Sequence, residues 1–61
     1  MKSIYEVKVG RVSYIWEMWL FEAQSLSEAV LKAEKKIARG KRIYENYVVH
    51  RAGIVSGTLY R

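Results

Sequence analysis

The chain of 61 residues contains no cysteine and only one histidine. Without cysteine it forms no disulfide bond and offers no thiolate ligand, and one histidine does not build a structural zinc site. It also lacks a run of 18 apolar residues, and its first residues do not have the pattern of a cleavable signal. We therefore expect a soluble, cytoplasmic protein with no metal site and no membrane partner.

The sequence is equally poor in catalytic patterns. Its four glycines are scattered, so no glycine-rich loop is available to hold a phosphate. It has no aspartate, and no motif places a serine or threonine beside His50, which could otherwise act as a general base or a lone metal ligand. Glu17 and Glu22 fall on opposite faces of one predicted strand and cannot pair from there. We interpret His50 as a partly exposed strand residue, and the protein as a non-enzyme with no catalytic residues and no cofactor.

The clearest local signal is a helix that begins after Ser25 and ends at Gly40. Ser25 is a favourable N-cap, and Glu28 is expected to return its carboxylate to the Ser25 amide. Gly40 is expected to adopt the left-handed conformation just past the last turn. Apolar residues at helical spacing predict the face that packs on the core. These residues are Leu26, Ala29, Val30, Ala33 and Ile37.

Two strands are predicted before this helix. Residues 4–9 alternate, with Tyr5, Val7 and Val9 on one side, as in a half-buried strand. Residues 13–23 are rich in aromatic and aliphatic side chains but lack the polar face that a helix of this length would show. They therefore indicate a long strand with two apolar faces, which is unusual for an exposed antiparallel sheet.

Two further strands are predicted after the helix, over residues 42–51 and 54–60, with a turn at Ala52 and Gly53 between them. The prediction is one α+β domain spanning residues 1–61, in ββαββ order. One helix packs on one face of a three- to four-stranded, mostly antiparallel sheet. The predicted core comprises Val7, Trp19, Phe21, Leu26, Val30, Ala33 and Ile37.

A single helix covers only one face of such a sheet. Phe21 and Ala23 immediately precede the N-cap and should point toward the helix, which leaves the alternate residues of the same strand uncovered. Those residues are Tyr14, Trp16, Met18 and Leu20. They could stack on unpaired bases, be buried within the monomer, or contact another protein; a stacking surface usually interleaves basic residues, and only Lys8 is near. We therefore predict a protein interface, most simply a two-fold homodimer formed through this face or a sheet edge.

The positive charge is concentrated in the second half of the chain. Residues 1–31 carry three Lys or Arg and four Glu, net −1, whereas residues 32–61 carry eight Lys or Arg and two Glu, net +6. Six basic residues lie close together, with Glu34 as the one acidic residue among them. They are Lys32, Lys35, Lys36, Arg39, Lys41 and Arg42. This cluster either binds the phosphate backbone of a nucleic acid or is a solvated face that keeps the protein soluble.

Two segments resemble small uncharacterised proteins encoded by phages and plasmids. They are YEVKV, residues 5–9, and LFEAQSLSEAVLKAEKKI, residues 20–37. In those proteins a first strand is followed by a second that runs through an alanine and a serine into a helix beginning with Glu-Ala. The start of the helix is also similar to that of small antitoxin domains with a partial RNase H shape. The resemblance implies a strand–strand–helix fold and a viral or mobile-element source, and no functional residue is carried over from it.

Two classes of function remain open on the sequence. One is a small basic protein that binds nucleic acid or acts as a regulator, with the basic cluster holding phosphates and not reading bases. The alternative is a protein-binding module, such as a viral inhibitor of a host complex or an assembly component, that acts through the exposed aromatic face. The expected partner is accordingly a nucleic acid, DNA or RNA, or a protein, and we favour nucleic acid.

Overall fold

A computed structural model describes residues 2–55 of the chain. They form β1 (Ser3–Gly10), β2 (Glu17–Ala23), α1 (Leu26–Arg39) and β3 (Val48–Ile54). The sheet is antiparallel in the order β2-β1-β3, with β1 in the centre and α1 packed against it. The predicted α+β class is confirmed. The predicted fourth strand, residues 54–60, lies outside the described residues except for Ile54, which ends β3, and Val55.

The helix begins as its capping signal predicts. Ser25 is the N-cap, and its Oγ accepts a hydrogen bond from the Glu28 amide at 3.2 Å. The Glu28 carboxylate accepts at 2.8 Å from the amide of Gln24, one residue before the expected Ser25 amide. Two amide groups at this end of the helix are therefore satisfied by side chains, which is the physical purpose of the motif.

The end of the helix differs from its prediction. Gly40 is the C-cap and donates to the Lys36 carbonyl, but its φ of −103° is not left-handed. A close approach favours glycine here instead, because a Cβ at this position would lie 2.8 Å from the ring of Tyr44, and that ring would have to move. Residues 40–47 then form turns, with Asn46 at a φ of 65°. The predicted strand over residues 42–51 therefore starts only at Val48, and its first six residues were assigned wrongly.

The predicted turn at Ala52 and Gly53 is also wrong, because both residues lie inside β3. Ala52 is opposite Val7 and Gly53 is opposite Glu6 in the ladder with β1. Glycine is a common turn signal in a sequence, but Gly53 here takes part in the regular pairing of β3 with β1. The chain consequently reaches Val55 still beside β1, whose Ile4 carbonyl accepts from the Val55 amide at 2.8 Å.

His50 is a half-buried residue of β3, in agreement with its interpretation as a strand residue. The pairing with β1 shifts register here, because Lys8 is opposite Arg51 while Val9 is opposite Val49, so His50 is the extra residue of a bulge. Its Nε2 lies within hydrogen-bonding distance of the Arg11 carbonyl. A carbonyl only accepts, so this nitrogen carries a proton and donates. His50 thereby ties β3 to the loop that follows β1.

The core lies between the sheet and α1. The predicted core residues Val7, Trp19 and Ala33 are buried, and Phe21 and Ile37 are half-buried against them. Val30 is also half-buried, but Leu26 is 44% exposed, so its place in the predicted core was wrong. Leu26 is the first helical residue, and side chains tilt toward the N-terminus of a helix, so it extends beyond the packed turn. Within residues 2–55 the buried apolar residues are Val7, Val9, Trp19, Ala23, Ala29 and Ala33.

No helix within residues 2–55 is long and apolar enough to cross a membrane.

The loop between β1 and β2 replaces the first part of the strand predicted over residues 13–23. Its backbone folds back on β1, with the Tyr14 amide donating to Arg11 at 3.1 Å and the Trp16 amide donating to Val9 at 3.0 Å. This return passes directly over Gly10. A Cβ there would lie 2.5 Å from the Tyr14 carbonyl oxygen and 2.6 Å from the Trp16 nitrogen. Only glycine at position 10 leaves room for this return of the loop. Because the loop extends as far as Trp16, β2 begins at Glu17.

We expect Gly10→Ala to destabilise the fold while Gly53→Ala does not. The first Cβ collides with backbone, which has to move, at a cost of about 2–3 kcal/mol, as in overpacked cores. The second Cβ meets nothing within 4 Å, and loss of a strand glycine should be neutral or gain up to about 1 kcal/mol. Urea unfolding at one fixed protein concentration measures both. Equal stability of the two variants would show that the loop does not press on Gly10.

Candidate nucleic-acid interface

Four of the six predicted phosphate-binding residues line one groove of about 470 Å³ between α1 and β2. We call this the basic groove, and its lining residues are Phe21, Lys32, Lys35, Lys36 and Arg39. The four cations come together because residues three and four apart share one flank of a helix. Among residues 2–55, no carboxylate lines this groove.

Two of these lysines also contact other groups of the fold. Lys32 Nζ donates to the Glu22 carbonyl at 2.6 Å and lies 3.9 Å from the Glu28 carboxylate. Lys36 Nζ lies 4.2 Å from the centre of the Trp19 ring, in a cation–π contact. Both side chains are therefore held in defined positions at the wall of the groove.

Lys35 and Arg39 are exposed and form no ion pair within the part of the chain that the structure describes. They lie four residues apart, so their charges are one helical turn from each other on the same flank. Two like charges at this spacing repel by a few tenths of a kcal/mol in an isolated helix. An anion placed between them would relieve that repulsion.

Lys41 and Arg42 are not part of the basic groove. They line a separate cavity of about 580 Å³ on the other flank of α1, together with Glu34, Glu45 and Tyr44 among its wall residues. The turns after Gly40 carry these two cations away from the helix face that would have continued the cluster. Two carboxylates in the same wall reduce the positive potential there, so the two cavities differ in their electrostatics.

Phe21 is the groove residue that sequence reasoning missed, because it was assigned to the core alone. It does pack on the core, with its ring 6.3 Å from that of Trp19 in an edge-to-face arrangement. The sequence does indicate that Phe21 lies on the strand face that α1 covers, because it comes shortly before the helix. What the sequence does not show is that α1 leaves this ring accessible at the edge of the sheet beside four cations.

The four residues predicted for the uncovered face of a strand are exposed, but only Met18 and Leu20 lie in β2, whereas Tyr14 and Trp16 lie in the loop before it. We call these four residues the open face, and each is between 52% and 56% exposed. Met18 and Leu20 alternate with Trp19, which is buried under α1, so they lie on the opposite side of the sheet. Gly10 follows the buried Val9 in β1, so a Cβ on Gly10 would point to the side of the sheet away from α1. The Trp16 ring is 2.7 Å from that position, so Trp16 lies on this side as well.

The open face also has a cation that the sequence did not indicate. The guanidinium carbon of Arg11 lies 5.8 Å from the Trp16 ring centre, and the Tyr14 ring is 5.4 Å from that of Trp16. The expectation that only Lys8 accompanies these aromatic residues was therefore wrong. No local pattern reveals the contact, since it depends on the loop folding back over Gly10.

Comparison of the chain with protein-family models, curated proteins and solved structures finds no significant match.

Proposed function

We propose that this protein is a non-enzymatic nucleic-acid-binding protein that holds the phosphate backbone in its basic groove. One observation carries the proposal: four cations from a single helix flank surround one groove with no carboxylate among its described lining residues. Lys35 and Arg39 supply exposed charge, while Lys32 and Lys36 are already fixed by contacts within the fold. Side chains that are already fixed lose less entropy on binding than free ones do, so Lys32 and Lys36 have this advantage and Lys35 and Arg39 do not.

Phosphate contacts of this kind do not read sequence. The groove presents ammonium and guanidinium groups on the flank of a helix, and no element of residues 2–55 has the form of a known base-reading motif. We therefore propose binding that tracks backbone charge and has little sequence preference. This proposal narrows the original set of six residues to Lys32, Lys35, Lys36 and Arg39, because Lys41 and Arg42 lie beside carboxylates in the other cavity.

A salt titration of the wild-type protein tests the function. With four phosphate contacts, affinity for duplex DNA should fall about 100-fold as monovalent salt rises from roughly 50 to 200 mM, through counterion release. Fluorescence anisotropy with labelled duplex DNA, single-stranded DNA and a structured RNA measures the slope. Absence of binding to all three at low salt rejects the proposal.

A protein-binding module is the second candidate, and the open face is the observation that favours it. Its four large apolar side chains are each about half exposed although the chain has a hydrophobic core on the other side of the sheet. A module of this kind would bind its partner with little dependence on salt, because apolar burial is not screened by ions. If the folded protein binds none of the three nucleic acids, this second candidate becomes the preferred function.

A further inference from the structure

The hydrophobic core of one copy is small. Val7 and Val9 are the largest side chains that are completely buried among the described residues, and three of the six core residues are alanine. A chain of this length buries only roughly 60% of the surface of its unfolded form and usually needs a supplement. Cysteine is absent from the whole sequence, so a disulfide bond is not that supplement. Burial of the open face against another surface would provide it.

The outer edge of β2 is a poor place for a second copy. The Val55 amide donates to Ile4, so the backbone groups of Ile4 point toward β3. On its other side Ile4 is opposite Glu22 of β2, and because Ile4 directs its backbone groups to β3, these two residues form a pair without mutual hydrogen bonds. The backbone N–H and C=O of Glu22 therefore point outward, away from the sheet. Lys32 Nζ donates to the Glu22 carbonyl at this edge. A lysine here discourages strand pairing, and edge pairing would also bring two basic grooves side by side.

Packing of sheet on sheet avoids both problems, because α1 and its cations lie on the far side. The open side of the sheet carries charges of both signs, with Lys8 Nζ 3.9 Å from the Glu6 carboxylate and Arg51 opposite Lys8. A two-fold axis brings each surface against itself, so a patch of one sign would repel its copy and a mixed patch does not. These charges lie beside the apolar column of β2 and would form its polar rim.

The size of the open face agrees with this use. Its four half-exposed side chains present on the order of 400 Å² in one copy, about the size of the largest apolar patch on a typical monomer, which is often functional. Complete burial of these residues in two copies removes on the order of 800 Å² from water, and the rim has to add the remainder of the roughly 1,000 Å² that a specific interface requires. We infer that a second copy of this chain covers the open face, sheet against sheet, with Met18 and Leu20 at the centre of a two-fold dimer.

Two leucines of almost equal exposure give a matched test. Leu20 on the open face is 55% exposed and Leu31 on α1 is 54% exposed. Sedimentation equilibrium at micromolar concentrations should give twice the 7.2 kDa monomer mass for the wild type. Leu20→Glu should weaken the dimer at least about tenfold, because it buries a charge in an apolar contact, whereas Leu31→Glu should leave the dimer intact.

Three sedimentation results would overturn the inference: a wild type that stays monomeric at every micromolar concentration, equal weakening by both leucine variants, or a Leu20→Glu dimer as tight as the wild type. A wild type that is monomeric would leave the open face for a different protein. If Leu20→Glu does not fold, the wild type provides the test instead. Its melting temperature must rise with protein concentration if folding and pairing are linked. A constant melting temperature in that case also contradicts the dimer.

Discussion

Replacement of Lys35 and Arg39 by glutamate is expected to weaken binding to nucleic acid strongly, whereas Lys41→Glu with Arg42→Glu should leave most of it. The first pair lines the basic groove, and the second lines the cavity that contains two carboxylates. Each phosphate contact is worth about 0.9 log unit near 100 mM salt through counterion release, so loss of two contacts, with added repulsion, weakens binding at least about 100-fold.

The two double variants form a matched pair, because each lowers the formal net charge by four, from +5 to +1. A difference between them therefore reports the position of the charge and not its total. A third variant with glutamine at positions 35 and 39 should show an intermediate loss and a salt slope reduced by about two. Equal losses in the two glutamate variants would mean that the protein attracts nucleic acid only through its overall charge, and the groove would have no special role.

The sequence predicts only the part of the site that lies on α1, because helical spacing determines which of its residues share a flank. Lys32, Lys36 and Arg39 share a flank because they are separated by four and three residues, and the structure places Lys35 with them. Lys41 lies beyond Gly40, where the path of the chain depends on a distant contact. The Tyr44 ring packs 5.1 Å from that of Trp19, and this contact turns the chain away from the groove.

The fold shows the same division between local and distant causes. The helix was predicted to within a residue because Ser25 and Glu28 satisfy its first amides through contacts between residues three and four apart in sequence. Residues 42–47 have the apolar and aromatic composition of a strand but form turns, because the rings of Tyr44 and Tyr47 are used against the core. The strand propensity of a segment is a property of the surface it packs on, and that surface is distant in sequence.

Trp19 is the residue on which most of these distant contacts meet. The residue is 8% exposed, and its ring lies edge-to-face with both Phe21 and Tyr44. Lys36 covers it with a cation, and its Nε1 donates to the Glu17 carboxylate at 2.7 Å, so its polar atom is satisfied. It therefore joins the wall of the basic groove to the turns that end the helix and to the sheet.

We expect Trp19→Ala to unfold the protein in dilute buffer. Truncation of a buried tryptophan costs about 3–5 kcal/mol, and a domain of this length has a total stability of roughly 3–9 kcal/mol. Far-ultraviolet circular dichroism in buffer should show loss of helix. In sulfate, which favours burial of apolar surface, the variant should refold and its urea midpoint should lie below that of the wild type by about 2 M or more.

Lys36→Met separates the burial of Trp19 from its contact with the cation. Methionine keeps an unbranched apolar chain over the ring and removes the charge, so the expected loss is only about 0.5–1 kcal/mol. All variants need the same protein concentration, because pairing of two copies would otherwise change their apparent stability. If Trp19→Ala loses no more than Lys36→Met, the ring is not the centre of the core. The helix and the turns after it would then have to be held by the alanine contacts of α1 with the sheet.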